Sequence, residues 1–338
     1  GIGRISPDWE LDEVLKNSER KQTKAIPVNP KKLVSAWQTA PTKELEIYTH
    51  LKGKNPYKAH LGVYADPYGI FWLQVEEVRP DEKLVIQNLY DRGKSNIKSV
   101  KTSIESDLIF PAVTGEHIIK FGIKSNFYVL ITQDPKKRQG YEEEYLSSKY
   151  PLTYAYLVQF KDFLLKRALY KKYFYREIKE KGKVVRREPF APFYSQYNIS
   201  EETFAKYRVT WKCMSSKISA VVLSGIKTNY GIKSIVSTKV TAFISTDDKN
   251  EAHYLCAVIN SDLVNDFISS FSAAGRGFGT PSVMENLAIP KFDPKNKIHK
   301  KLAQLSEEAH NWVKRNVDIS GIEKEINLEV KKLWNIKQ

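Results

Sequence analysis

The chain holds 338 residues, of which 54 are Lys or Arg and 39 are Asp or Glu, for a net charge of +15. That excess calls for a polyanion, a membrane surface or an acidic partner, while 41% hydrophobic and 12% aromatic residues exclude a disordered basic tail. No apolar run approaches the roughly eighteen residues of a spanning helix, and the N-terminus has no basic stretch followed by an apolar one. Neither a transmembrane span nor a secretory signal is expected.

At roughly 100 to 200 residues per domain, the length allows two or three cores. The chain starts at Gly1, and Met214 and Met284 are its only methionines, which reads as a processed protein or a piece of a longer one with further chemistry upstream. Cys213 and Cys256 stand in apolar surroundings without CxxC spacing, the pattern of reduced cytoplasmic thiols packed as small core residues.

Residues 1–50 are mixed and punctuated by Pro27, Pro30 and Pro41, with short helical possibilities such as residues 31–38; they read as a lead-in or docking segment. The runs 69–75, 83–87 and 127–131 are rich in β-branched and aromatic residues and are separated by turn signals, which predicts strands. Over 150–176 the period changes. Tyr154, Leu157, Val158, Phe160, Leu164, Leu165 and Leu169 fall mostly at i, i+3, i+4 after Pro151 at a first-turn position, predicting one long helix with a basic far end. A Lys/Gly turn at 180–183 follows, then strands at 208–211, 218–223 and 240–244. Asp248 and Glu251 resemble a capping pair that opens a helix over 252–271, stopping at Ala274-Gly275. The Gly-rich loop Gly275-Arg-Gly-Phe-Gly279 leads on to helices over 298–317 and 320–334, the last with Ile322, Ile326 and Val330 on one face. The expected fold is α+β: a β-rich platform over 51–245, with one long helix near 151–176, and a helical part over 246–338.

The charge is concentrated. Residues 161–239 hold 18 Lys or Arg against 6 Asp or Glu, a net of +12. Bases alternate there with rings, among them Lys171, Lys172, Tyr173, Arg186, Arg187, Tyr194, Tyr197 and Trp211. Cations neutralise phosphates while Tyr, Asn and Gln reach base edges, so the mixture suits nucleic acid; a Lys-rich solvated face whose tyrosines pack on a sheet has the same composition. No long helix with a basic and an apolar face is present for a membrane surface.

Short motifs add little. Lys54-Asn-Pro-Tyr57 and Ala65-Asp-Pro-Tyr68 are similar to the Asn-Pro-Pro-Tyr motif of amino-methyltransferases but lack one proline and a preceding Gly-rich loop, so both read as turns. The loop 275–279 lacks the Lys-Ser/Thr of a phosphate loop and reads equally as a plain mobile helix connection or as a loop that offers Arg276 to a DNA phosphate. Pro80-Asp-Glu-Lys83 has the residue types of a nuclease site crowded into one turn, and the six histidines are dispersed without HxxxH or HExxH spacing.

The order of segments carries more. Tyr57-Lys-Ala-His-Leu-Gly62 with Gly69-Ile-Phe-Trp-Leu73, then Ile109-Phe-Pro111 with Gly115-Glu-His-Ile118 and Phe121, resembles the region downstream of the catalytic domain in adenine-specific DNA methyltransferases of restriction-modification systems. Where that family has Gly-x-Asp-Ile and Arg-Trp, this chain has His117 and Lys120-Phe121. Tyr150-Pro151, Tyr156-Leu157 and Leu164-Leu-Lys-Arg167 resemble the helix of the TaqI-like specificity domain. Phe204 to Tyr207, Trp211, Val240 to Ile244, Tyr254 to Ser261, Leu287 to Pro290 and Ile322 to Asn327 follow in family order.

The resemblance implies a target recognition domain that clamps double-stranded DNA and reads its sequence, working in cis or in trans with a methyltransferase catalytic domain that binds S-adenosylmethionine and flips adenine. This chain lacks that domain's motifs, so no cofactor and no catalytic residue are expected in it. Phosphate contacts are expected from Arg167, Lys171, Lys172, Arg186, Arg187 and Arg276, and base-edge contacts from Tyr194, Gln196, Tyr197, Asn198, Lys212 and Lys217. Two other classes stay open: a protein-interaction subunit whose basic face meets an acidic partner, and a nuclease or transferase with an unrecognised active site.

Overall fold

The computed structural model describes residues 8–18, 23–31, 33–93, 95–272, 275 and 277–336, and the fold is mixed α+β. Six strands form the larger sheet in the order Val236–Ser237, Ile109–Val113, Phe127–Leu130, Trp72–Val78, Leu84–Asn88 and Lys101–Ile104. All neighbours are antiparallel except Val236–Ser237, which runs parallel to Ile109–Val113. The buried Leu73, Leu84, Ile86, Ile109 and Val129 of this sheet share a core with Leu146, Tyr156, Leu157 and Leu164 from the helices Glu143–Lys149, Pro151–Val158 and Lys161–Lys166.

The second sheet is antiparallel, in the order Ala220–Leu223, Tyr207–Lys212, Thr241–Thr246, Ala59–Leu61. Helix Lys249–Asn260 packs on it and is buried at every residue from Ala252 to Asn260. The Asp248 carboxylate caps that helix, accepting from the Asn250 and Glu251 amides at 2.7 and 3.2 Å. The helix breaks where Ser261 turns extended and caps the next one, Asp262–Ser269, so the single expected run over 252–271 is two helices. Helices Lys297–Lys314 and Ser320–Leu333 close the same core with buried Leu302, Leu305, Ile322, Ile326 and Val330.

Other expectations change too: the first part of the expected strand over 69–75 is the short helix Tyr68–Phe71, and the strand itself runs Trp72–Val78. The residues near 151–176 form three short helices, Pro151–Val158, Lys161–Lys166 and Ala168–Tyr173, with non-helical backbone at Phe160 (ψ 10°) and Arg167 (ψ 128°); the chain turns at Arg167 so that its side chain points inward. Residues 31–38 are not helical among those described: the segment turns and enters the strand Trp37–Ala40, which pairs with Lys24–Pro27. One core holds residues from both sides of positions 50 and 245. Ala40, Leu45, Tyr48 and Leu51, from that hairpin and helix Thr42–Leu51, pack with the C-terminal helices and the four-stranded sheet. The expected turns at 54–57 and 80–83 are present: Asn55 Oδ1 accepts from the Tyr57 amide at 2.9 Å, and Lys83 pairs with Asp81 at 2.7 Å. No helix among the described residues is long and apolar enough to cross a membrane.

Candidate nucleic-acid interface

The run Ala191 to Asn198 connects the Lys183–Pro189 strand to the rest of the molecule and decides where most of the expected contact residues go. It passes through the interior, with every residue from Ala191 to Tyr197 buried and only Asn198 exposed. The side chains of Tyr194, Ser195 and Gln196 bond to backbone. The Gln196 amide donates to Leu130 O at 2.9 Å and accepts from the Thr132 amide at 3.0 Å. Tyr194 Oη donates to Tyr141 O at 2.5 Å.

Arg167 holds this run in place. Its guanidinium donates to the carbonyls of Leu164, Asp66, Phe193 and Ser195 at 3.0, 2.8, 2.6 and 3.0 Å, and burial lowers its pKa from the ordinary arginine value. Hydrogen bonds to a charged group contribute about 1.5–3 kcal/mol each, enough for four of them to offset a desolvation cost of several kcal/mol. Arg167, Tyr194 and Gln196 are thus structural residues, and the expectation of phosphate or base contacts from them is corrected: their polar atoms are buried and already partnered.

Tyr197 is also buried, and its backbone pairs with that of Tyr64 in both directions at 3.0 and 3.3 Å. Its ring stacks on Phe174 at 5.3 Å and lies 5.5 Å from Tyr173 and 5.9 Å from Tyr64. Its hydroxyl is buried without a hydrogen-bond partner among the described residues, and burial raises its pKa against the opposing pull of Arg167.

These rings form one wall of a cleft of about 820 Å³. The four-stranded sheet supplies a second wall through His60, Leu61 and Phe243, with the His60 and Phe243 rings stacked at 5.5 Å. The paired segments Gln133–Asp134 and Gln139–Gly140 supply a third through Lys137, Arg138 and Gln139. Tyr173 and Phe190 remain 53% and 45% exposed at the rim. Asn198 and Arg138 both reach the cleft from left-handed backbone, at φ 54° and 56°, a conformation that is uncommon outside glycine and concentrates at functional positions. Lys58, Lys137 and Arg138 line the cleft, and no carboxylate does among the described residues. Burial holds the His60 imidazole below its ordinary range, with Glu202 pulling the other way.

Outside the cleft lining, Lys171 and Lys172 are exposed on helix Ala168–Tyr173, which ends at the rim residue Tyr173, and Arg186 and Arg187 are exposed on the strand Lys183–Pro189. Arg186 pairs with Glu188 at 3.2 Å and Arg187 with Glu177 at 2.5 Å. Exposed pairs of this kind are worth about 0–1 kcal/mol, so a phosphate can displace the carboxylates. Lys212 and Lys217 lie outside the cleft. Lys212 is half-buried at the end of its strand, its pKa lowered by burial and then by Lys124, and Lys217 is exposed in the following loop. Arg276 lies outside the described residues; the flanking Gly275 and Gly279 amides bond to Ser215 O and Cys213 O at 3.0 and 3.1 Å.

Sequence reasoning missed Lys58, His60, Lys137, Arg138 and Gln139. The triplet Lys136-Lys137-Arg138 was a visible signal, outside the charge-rich window by some twenty residues. The methyltransferase-like motifs hold turns: the Asn55 amide donates to Met284 O at 3.0 Å, and Tyr57 Oη lies between Glu251 and the Phe292 amide at 3.0 and 2.8 Å. Among the described residues no three His, Cys, Asp or Glu side chains group as metal ligands. No protein-family model matches the chain, and no curated protein matches it.

Proposed function

We propose that the chain recognises the sequence of double-stranded DNA in the cytoplasm for an N6-adenine-specific methyltransferase of a restriction-modification system. The observation that carries this reading is the cleft: Lys58, Lys137 and Arg138 in its lining, with Lys137 in an exposed pair with Glu142 at 3.6 Å, aromatic walls, and, besides the buried Gln133 and Gln196, the exposed amide of Asn198 and the half-buried one of Gln139. Cations beside phosphates provide affinity, and amides that pair adenine in two-point fashion provide choice. The order of segments shared with the TaqI-like specificity domain points to the same partner. In this reading the methyltransferase domain, in cis or in trans, binds S-adenosylmethionine and performs the chemistry, and this chain contributes none of it. Lys171, Lys172, Arg186 and Arg187 fix the register on phosphates, and Asn198 faces a base edge.

Selection of duplexes from a randomised pool by the intact chain at moderate salt tests the proposal. Enrichment of one sequence is the expected result. Recovery without enrichment would reduce the chain to a nonspecific binder, and no recovery would move its basic face to an acidic protein partner.

A further inference from the structure

The strands Tyr175–Glu180 and Lys183–Pro189 pair into a two-stranded ribbon that belongs to neither large core. Its root is fixed: the Phe190 amide donates to Phe174 O at 2.9 Å, and the Tyr170 and Tyr175 rings meet edge-on at 5.6 Å. Beyond the root every residue is exposed or half-buried, and the turn closes at Lys181 and Gly182, both left-handed at φ 47° and 78°. A free two-stranded ribbon is marginal in water, and its unpaired edges invite partners. Something therefore has to compensate for leaving this one outside the cores.

The ribbon carries six Lys or Arg and three Glu over residues 175–189. Its register, with Arg176 opposite Glu188, Ile178 opposite Arg186 and Glu180 opposite Lys183, places Arg176, Lys183 and Arg186 on one face; Lys179 and Arg187 are on the other. A ribbon laid on a flat anionic surface needs cations on one face only. Glu180 and Glu188 share the first face and Glu177 the second, so each face keeps a net charge of +1, and the exposed pairs they form are weak enough for phosphate to replace; an excess of cations on both faces suits a position between two walls of phosphate. The major groove of B-DNA, about 12 Å wide and 8.5 Å deep, admits a two-stranded ribbon, and strands of this length reach roughly 20 Å. Near the tip Val184 and Val185 are 48% and 51% exposed, apolar surface of the kind that meets thymine methyl groups.

We propose that this ribbon enters the major groove of duplex DNA, its cations on the two flanking phosphate strands and its tip against base edges. The proposal rests on the DNA reading above and names the element and the groove. The test compares the full chain with a variant in which residues 177–187 are replaced by Asn-Gly, which leaves the root and both cores intact. Thermal unfolding checks that the variant folds. The probe is the pool of duplexes recovered by the parent, footprinted with dimethyl sulfate, which methylates guanine N7 in the major groove. The parent is expected to protect N7 at its site. The shortened chain is expected to lose that protection and the sequence enrichment, and to bind at least tenfold more weakly. Unchanged N7 protection with the shortened chain overturns the ribbon's role while leaving the DNA reading intact; failure of the parent to bind any duplex overturns both. A Val184→Ser, Val185→Ser variant adds a finer readout: it folds as the parent does, and enrichment at thymine positions falls while the salt dependence stays the same.

Discussion

Replacing Arg167 by Met removes a guanidinium that serves four backbone carbonyls and takes that donor away from each of them in the interior, Leu164 O keeping the Arg167 amide at 3.4 Å. The expected loss is about 3–5 kcal/mol of stability, the usual cost of breaking a buried charged network, read as a lowered urea midpoint. The salt slope of DNA binding by the fraction that stays folded should not change, because this arginine meets no phosphate. Asn198→Ala is the opposite case. The side chain is exposed at the cleft, so the stability cost should be only about 1 kcal/mol, from putting alanine into left-handed backbone at φ 54°, while preference at one base pair should relax by about 1–3 kcal/mol, measured by competition between single-base variants of the selected site. Residue type alone could not separate these two. Arginine in a basic stretch reads as a phosphate contact, and the clue to its burial lies in its neighbours: the rings of Phe71, Tyr170 and Tyr197, drawn from separate parts of the chain, lie within 6.0 Å of the guanidinium carbon.

At the scale of elements, the contact between helices Lys249–Asn260 and Lys297–Lys314 contains two histidines with rings 4.9 Å apart. His310 Nδ1 donates to Ser306 O at 2.6 Å and Nε2 accepts from the Val222 amide at 3.0 Å, so a second proton would break the bond to Val222. Burial pushes His310 down to about 4 and His253 down to about 3. Because the folded values lie below the unfolded value of 6.5, the unfolded chain takes up protons first, and stability present above pH 6.5 is lost as the pH falls toward 4. At about 1.4 kcal/mol per unit the His310 contribution is about 3 kcal/mol. Unfolding midpoints measured across this window should fall, and fall less in a His310→Gln variant.

Strands with clear alternation or β-branched runs, such as Leu84–Asn88, Tyr207–Lys212 and Thr241–Thr246, were legible in the sequence within a residue or two, and the last two helices within three. The breaks at Phe160, Arg167 and Ser261 were not, because the apolar period continues through all three and only the tertiary partners of Arg167 and the capping role of Ser261 stop the helices. Half of the cleft was equally hidden: His60, Arg138 and Tyr197 lie far apart in sequence and meet only because the four-stranded sheet and the ribbon root are brought together.

On the scale of the whole molecule, charge and packing separate. The +12 between residues 161 and 239 includes buried cations with fixed partners, Arg167 and Arg208, eight on the ribbon and its neighbouring helix, and eight lysines spread over other elements. Only exposed cations contribute to a field at the surface. The Arg186→Ala, Arg187→Ala double variant should therefore bind all duplexes more weakly and lower the slope of log affinity against log salt by about 2, close to 0.9 for each phosphate that is no longer neutralised. Titrating binding against salt checks it; an unchanged slope would remove both residues from the phosphate set.

The strand Ala59–Leu61 pairs with Thr241–Thr246, and Leu51 O accepts from the Ala288 amide at 2.8 Å. During synthesis the early segment waits for these partners through about 180 to 240 further residues, or roughly 10 to 50 s at ribosomal speed. For that interval one edge of the four-stranded sheet and the apolar face of helix Thr42–Leu51 stand open in the nascent chain. Closure over so long a loop is slow by topology alone, so the chain's yield in a cell is set by what shields residues 40–61 in the meantime as much as by the stability of the finished fold.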